Sequence, residues 1–240
     1  MSRPRTGAIL LAGGRSARMG GTDKTTAALA GLPVVAYSLR AFAACTAIDH
    51  IVLVAGPENR DALALLGEEH GGGKVRAIPL GGARRRDSVA AGLAALPDAD
   101  LVAVHDTARP LVTEAMIRGG IALAAAHGAA IVAGPVTDTI KQIGPCDGRT
   151  GGPARIERTV DRGSLRAAQT PQTFRVDLLR RAHAADPTAD ASDDAALVEA
   201  LPAPVFLYAA EAPNPKITRP EDLPIIAALL RDDAAAAARG

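Results

Sequence analysis

The sequence predicts one α/β domain spanning residues 1–240, built on a largely parallel sheet with helices on both faces. Three observations carry this prediction. Short apolar or β-branched runs alternate with longer Ala/Leu-rich windows, and a strand that returns parallel to its neighbour needs a crossover helix. A chain of 240 residues buries a full core without having to split into two domains. The first apolar run empties into a glycine-rich segment, as strand-to-helix turns do at the carboxyl edge of such sheets.

Strands are expected at residues 7–12, 51–55, 75–78, 101–105, 130–133 and 205–208, each a short run bounded by turn residues. Helices are expected near 34–44, 58–67, 87–96, 113–127, 176–184, 193–200 and 221–231, with a frayed tail over 232–240. One interval, about 137–169, breaks the alternation with charges, glycines and prolines. A long structureless loop is uncommon inside a compact domain, so this interval is expected to be an arm or subdomain leaving the fold.

Composition narrows the function classes. The formal net charge is +1, which supports neither a nucleic-acid track nor a charged membrane surface. No apolar run is long enough for a signal peptide core or a membrane span. Cys45 and Cys146 form no Cys-x-x-Cys pair and the histidines show no ligand spacing, so a reduced, cytoplasmic setting without structural zinc is expected. The only lysines are Lys24, Lys74, Lys141 and Lys216, which makes their placement informative.

The segment Ala12-Gly13-Gly14-Arg15-Ser16-Ala17-Arg18-Met19-Gly20, followed by Asp23-Lys24, combines close backbone approach with cations. Glycines let N–H groups reach an anion that a Cβ would hold off, and Arg18 and Lys24 supply charge, so the expected ligand is a nucleoside triphosphate. There is no Gly-Lys-Ser/Thr for a P-loop and no Gly-x-Gly-x-x-Gly for a dinucleotide. The loop is similar to that of nucleotidyltransferases acting on sugar or polyol phosphates.

Two further motifs fall after strands. In Gly81-Gly82-Ala83-Arg84-Arg85-Arg86-Asp87-Ser88, Asp87 or Ser88 is expected to cap a helix and Gly81-Gly82 to approach a planar base. Of the three arginines, some are expected only on a solvated face, and Arg85 is the one expected near ligand. In His105-Asp106-Thr107-Ala108-Arg109-Pro110, Asp106 is placed to hold a divalent cation or bond a ribose hydroxyl. His105 is expected to be structural, and Arg109 either anchors the loop or contacts phosphate.

Read together with Pro135-Val136-Thr137-Asp138-Thr139-Ile140-Lys141, Thr159-Val160-Asp161-Arg162, Gln169-Thr170-Pro171-Gln172, Ser192-Asp193-Asp194-Ala195 and Lys216-Ile217-Thr218-Arg219-Pro220-Glu221-Asp222, these motifs occur in one order. The chain resembles the 2-C-methyl-D-erythritol 4-phosphate cytidylyltransferase family from about Ala8 to Leu223. The resemblance implies a Rossmann-like fold of the nucleotide-diphospho-sugar transferase type with a protruding dimerisation arm. It implies transfer of CMP from CTP to methylerythritol phosphate in non-mevalonate isoprenoid synthesis, with Mg²⁺ or another divalent cation.

By motif, Arg18, Lys24 and Lys216 are expected to be catalytic cations around the triphosphate. Ala12, Gly13, Gly14, Gly81, Gly82, Arg85, Ser88, Asp106 and Arg109 are expected to bind nucleotide, with Asp106 also on the metal. Thr139, Arg162 and Thr170 match the family's polyol-phosphate contacts. The resemblance also implies a homodimer with arm exchange, in which Thr139 and Arg162 serve the partner's site.

The first loop departs from the family by reading Thr22-Asp23-Lys24-Thr25 where Pro-Lys is commoner, and Ala83 replaces a polar residue. Two alternatives remain open at this point: a cytidylyltransferase for ribitol 5-phosphate or another polyol phosphate, and a catalytically silent nucleotide-binding subunit.

Overall fold

The computed structural model describes residues 3–14, 23–144, 153–188 and 190–237, with side chains through Arg231. Its elements run β1 (Thr6–Leu11), β2 (Ala28–Leu29), β3 (Leu32–Pro33), α1 (Val34–Ala44), β4 (His50–Val54), α2 (Arg60–His70), β5 (Val75–Ala77) and α3 (Arg85–Ala95). They continue with β6 (Leu101–Asp106), α4 (Glu114–His127), β7 (Ala129–Pro135), β8 (Lys141–Ile143), β9 (Ile156–Thr159), β10 (Arg166–Arg175), α5 (Val176–Ala185), α6 (Asp194–Glu199), β11 (Phe206–Ala209) and α7 (Asp222–Ala237).

Seven strands form one sheet in the order β11-β7-β10-β6-β1-β4-β5. β1 pairs in parallel with β4 and β6, β4 with β5, and β7 with β11, while β10 runs antiparallel between β6 and β7. Alternation along the strands sends successive side chains to opposite faces. Ala8, Leu10 and Leu53 pack with α1 and α4 residues such as Leu39, Phe42 and Ile117. On the other face Ile9, Val52 and Val54 pack with Val89 of α3, Leu179 of α5 and Val198 of α6. Both faces are covered, which is why the strands read as continuous apolar runs. Truncating Phe42, which is fully buried, to Ala is worth about 3–5 kcal/mol of lost stability.

Strand β10 is absent from the sequence expectation. It is polar and contains Pro171, which argues against a central strand. The sheet tolerates it because the pairing of β10 with β7 breaks register between Ala168 and Gln172, around the proline. Its residues 166–169 fall inside the interval expected to be an arm, so the projecting part is shorter. Among its described residues are the antiparallel pair β8–β9 and a 3₁₀ turn at Arg162–Ser164. β2 and β3 form a second unexpected hairpin, turned by Ala30 at φ 46° and Gly31 at φ 91°. Helix α7 runs to Ala237 rather than ending near residue 231. It docks through Ile226 onto a third cluster holding Leu29, Ala108 and Ile217.

Candidate active site

Strand β1 has neighbours on both sides, so the chain moves outward to β4 and β5 and then returns across it to β6. Ligands in open α/β sheets bind beyond the carboxyl ends of strands at such a reversal. A cavity of about 580 Å³ lies there, lined by Gly13 and Gly14 after β1, Gly56 after β4, Gly81 to Arg85 and Ser88 before and within α3, Asp106 at the end of β6, and Lys24 and Lys216. Ala12 stands just behind this lining: it is buried, and its N–H donates to Val54 O at 2.8 Å.

Asp106 is the only carboxylate among the described residues that line the cavity. Its Oδ2 accepts from Lys216 Nζ at 2.5 Å and its Oδ1 from Arg85 Nε at 3.3 Å. Burial by itself raises this carboxyl's pKa, but the charges of Arg85 and Lys216 outweigh burial and hold it well below the usual carboxylate range. The site is therefore a cationic bowl with one fixed anion at its floor. Lys24, Arg84, Arg85 and Lys216 supply the positive side.

Lys216 reaches Asp106 because its segment is stitched to the turn after β6 and to the middle of β10. Arg109 Nη1 donates to Asn214 O at 2.7 Å, Asn214 Nδ2 donates to Thr170 O at 2.8 Å, and Ile217 N–H donates to Ala108 O at 2.8 Å. Asp222, the first residue of α7, then accepts from the N–H groups of Thr218 and Arg219 at 2.7 and 2.9 Å, which ties the preceding segment to the start of the helix. Arg109 thus anchors the loop that delivers Lys216, and it is not among the cavity's lining residues. Asn214 was not visible in the sequence, since no pattern marks an isolated asparagine before a proline.

The first loop is pinned by another unforeseen residue. Asn59 Nδ2 donates to Ala12 O at 2.9 Å and to Asp23 Oδ2 at 2.7 Å, and its Oδ1 accepts from Gly56 N–H at 2.8 Å. Thr25, buried, donates its hydroxyl to Asp23 at 2.9 Å. One amide therefore joins the start of the loop, its end and the turn after β4, with Lys24 between Asp23 and Thr25. Asp23, standing where a proline is commoner, fixes the chain by hydrogen bonds instead of by ring geometry. Arg18 lies outside the described residues.

The arginine triplet divides its work. Arg84 is the N-cap of α3 and pairs with Asp87 at 2.8 Å. Asp87 sits at the third helical position and accepts from Arg84 N–H at 3.1 Å, so neither Asp87 nor Ser88 is itself the N-cap, because the helix begins earlier than expected. Arg86 is buried rather than solvated and donates to the carbonyls of His183 and Asp186 at the end of α5, at 2.9 and 2.7 Å. Arg85 alone faces Asp106. Gly81 and Gly82 are also required by packing, since a Cβ would stand 2.6 Å from Ser88 Oγ and 2.3 Å from Asp87 Cβ respectively.

His105 is fully buried beside Asp106, with Nε2 3.2 Å from Ser38 Oγ and Nδ1 3.0 Å from Thr170 Oγ1. Burial, followed by the charge of Arg109, pushes its pKa down to about 4 against the pull of Asp106, so it is a neutral structural group at pH 7. Thr170 is buried too, and its hydroxyl oxygen accepts from Asp106 N–H at 3.0 Å. Its hydroxyl is engaged within the protein, and Thr170 is not among the residues lining the cavity. Thr139 and Arg162 sit exposed on the arm, where Arg162 Nη1 donates to Thr137 O at 2.6 Å. Neither lines the cavity in the single chain.

No cluster of three or more His, Cys, Asp or Glu suited to a metal occurs among the described residues. The donor set still fits a hard dication of the Mg²⁺ type, which keeps several waters and takes one or two carboxylates together with substrate phosphates. Asp106 is the carboxylate in position to do this.

Comparison with known proteins agrees with this geometry. The family profile described as IspD, 2-C-methyl-D-erythritol 4-phosphate cytidylyltransferase, matches residues 6–232. The cytidylyltransferase of that name from Dehalococcoides mccartyi is 41% identical over 227 residues, covering 95% of this chain and 96% of the relative. The one from Pelotomaculum thermopropionicum is 44% identical over 233 residues, covering 95% and 94%. Among solved structures, that of the enzyme of this name from Thermus thermophilus superposes with a TM-score of 0.73 at 34% identity, covering 95% of this chain and 99% of the other. The 4-diphosphocytidyl-2C-methyl-D-erythritol synthase of Anaerococcus prevotii gives 0.82 at 27% identity, covering 95% and 96%. With a sheet reversal, a cationic bowl and a single fixed carboxylate in place, the chain belongs to the 2-C-methyl-D-erythritol 4-phosphate cytidylyltransferase family.

Proposed function

We propose that this chain transfers CMP from CTP to 2-C-methyl-D-erythritol 4-phosphate, forming CDP-methylerythritol and pyrophosphate. The observation that carries the reading is Asp106, bridged by Arg85 and Lys216 on the floor of a cavity otherwise lined by glycines and cations. A phosphate oxygen of the acceptor attacks the α-phosphorus of CTP, a new P–O bond forms, and the bond to the bridging oxygen breaks as pyrophosphate leaves with the electron pair. The acceptor phosphate is already an anion, so no general base is needed, consistent with the buried, neutral state of His105.

What the chemistry demands is positioning and charge stabilisation. Lys24 and Lys216, with Arg18, hold the triphosphate and its developing charge. The Gly13-Gly14 backbone admits the phosphates, and Gly81-Gly82 with Ser88 receives the cytosine. Asp106 orients the ribose and, with the phosphates, holds Mg²⁺, which when bound neutralises part of the polyphosphate charge. Arg109 and Thr170 act by holding the strand ends, and Thr139 and Arg162 receive the acceptor phosphate.

The arm supports a homodimer. Ile140, Ile143 and Ile156 on or beside its hairpin are exposed at 36%, 48% and 55%, an apolar surface suited to cover by a second copy. In that assembly Thr139 and Arg162 reach the partner's cavity. No helix among the described residues is long and apolar enough to cross a membrane, and the enzyme is proposed to work in the cytoplasm.

The test is pyrophosphate release by the purified protein with Mg²⁺, comparing CTP, GTP and ATP against methylerythritol 4-phosphate and ribitol 5-phosphate. Rapid release only with CTP and methylerythritol phosphate is expected. Preference for ribitol phosphate, or CTP binding without turnover, would refute the reading.

A further inference from the structure

Two of the sequence motifs, Gln169-Thr170-Pro171-Gln172 and Ser192-Asp193-Asp194-Ala195, line no part of the cavity. They meet behind it. Gln172, buried on β10, accepts at Oε1 from the N–H groups of Asp194 and Ala195, both at 3.2 Å, and donates Nε2 to Asp193 Oδ2 at 2.6 Å. This one amide fixes the start of α6 against the sheet. It thereby fixes Asp194, which is fully buried.

Asp194 Oδ2 accepts from Arg85 Nη1 at 2.6 Å, and Oδ1 lies 3.0 Å from His183 Nε2. His183 Nδ1 is buried with no partner among the described residues, so the polar contact of this ring with Asp194 is made through Nε2. The consequence shows in Arg85. A guanidinium free to choose would fork a carboxylate with two parallel bonds. Arg85 instead makes one long Nε contact of 3.3 Å to Asp106 and leaves Nη2 buried without a partner among the described residues. Its position is set by the shorter bond behind it.

We infer that Asp194 is a positioning residue: held by Gln172 and His183, it draws Arg85 back so that the Asp106 carboxylate stays shared with Lys216 and open to the cavity instead of being forked by Arg85. The inference rests on the reading of Arg85 and Asp106 as nucleotide-binding. When Asp194 loses its charge, Asp106 is the only carboxylate left paired with Arg85 among the described residues, and the two close on each other.

The experiment is a double-mutant cycle on the full chain, with CTP affinity read by calorimetry and folding by thermal melting. Asp194→Asn and Arg85→Gln are each expected to weaken CTP binding by about tenfold or more, while Asp194→Asn adds less than about twofold in the Arg85→Gln background. A purely structural Asp194 would lose as much in that background as alone, and that result, or wild-type affinity in Asp194→Asn, overturns the inference. If Arg85→Gln alone leaves CTP binding unchanged, the nucleotide-binding reading of Arg85 fails, and the inference with it. Removing one partner of a buried pair is destabilising. Asp194→Glu, which keeps the charge but extends its reach, therefore decides on the same criterion should Asp194→Asn unfold: weakened CTP binding in a folded protein is expected, and unchanged binding is contrary.

Discussion

Lys216 Nζ lies 2.5 Å from Asp106 Oδ2, joining the last strand residue of β6 to the segment that leads into α7. The pair brings the two ends of the site together across 110 positions of sequence. Replacing Lys216 by Ala leaves Asp106 with Arg85 and removes a cation aimed at the triphosphate. Turnover is expected to fall about a hundred- to a thousandfold with the melting temperature little changed. Lys24→Ala is expected to behave alike, and steady-state kinetics beside a thermal melt checks both.

The first loop offers a contrast between adjacent glycines. A Cβ at Gly13 would stand 2.6 Å from the Ala55 carbonyl oxygen, a backbone atom that cannot step aside, whereas one at Gly14 would meet nothing within 4 Å among the described residues. Gly13→Ala is expected to lower the melting temperature and CTP affinity together. Gly14→Ala is expected to melt like the parent, so any loss of affinity there reports contact with ligand.

Asn59 bonds Ala12, Asp23 and Gly56 without lining the cavity. Asn59→Ala leaves partly buried groups unsatisfied and is expected to cost about 1–3 kcal/mol of stability. It should also reduce kcat/KM for CTP by about tenfold through looser placement of Lys24. Asp23→Asn brings two amide donors together, and combining it with Asn59→Asp restores one donor to one acceptor. The double variant is expected to be less impaired than Asn59→Asp alone, measured in the same assay.

His105 makes stability depend on pH. Its folded pKa of about 4 lies below the ordinary value of 6.5, so the unfolded chain takes up a proton first as pH falls. The folded state loses stability between about pH 6.5 and 4, by about 3 kcal/mol in total. Above about pH 6.5 the group contributes no slope. Denaturant titrations at several pH values should show a smaller loss over that range in His105→Asn than in the parent.

Much of this was legible before the structure. The parallel core follows from apolar runs whose two faces are both covered, and Asp106, Arg85, Lys24 and Lys216, each singled out by its motif, line one cavity. Strand β10 was not legible, because its apolar contribution is limited to a few residues such as Phe174 and its buried polar groups, Thr170 and Gln172, are satisfied only by partners distant in sequence. Asn59 and Asn214 were hidden for the same reason: single amides bonding backbone carbonyls have no periodicity. Arg86 looked like surface until the carbonyls at the end of α5 explained its burial.

The most direct measurement of the central claim is phosphorus NMR of the products formed from CTP, methylerythritol 4-phosphate and Mg²⁺ by the parent protein and by Asp106→Asn. The account predicts a new unsymmetrical diphosphate with one equivalent of pyrophosphate from the parent, and a rate at least about a hundredfold lower from Asp106→Asn. Unchanged substrates with the parent, or full activity in a folded Asp106→Asn, would contradict it.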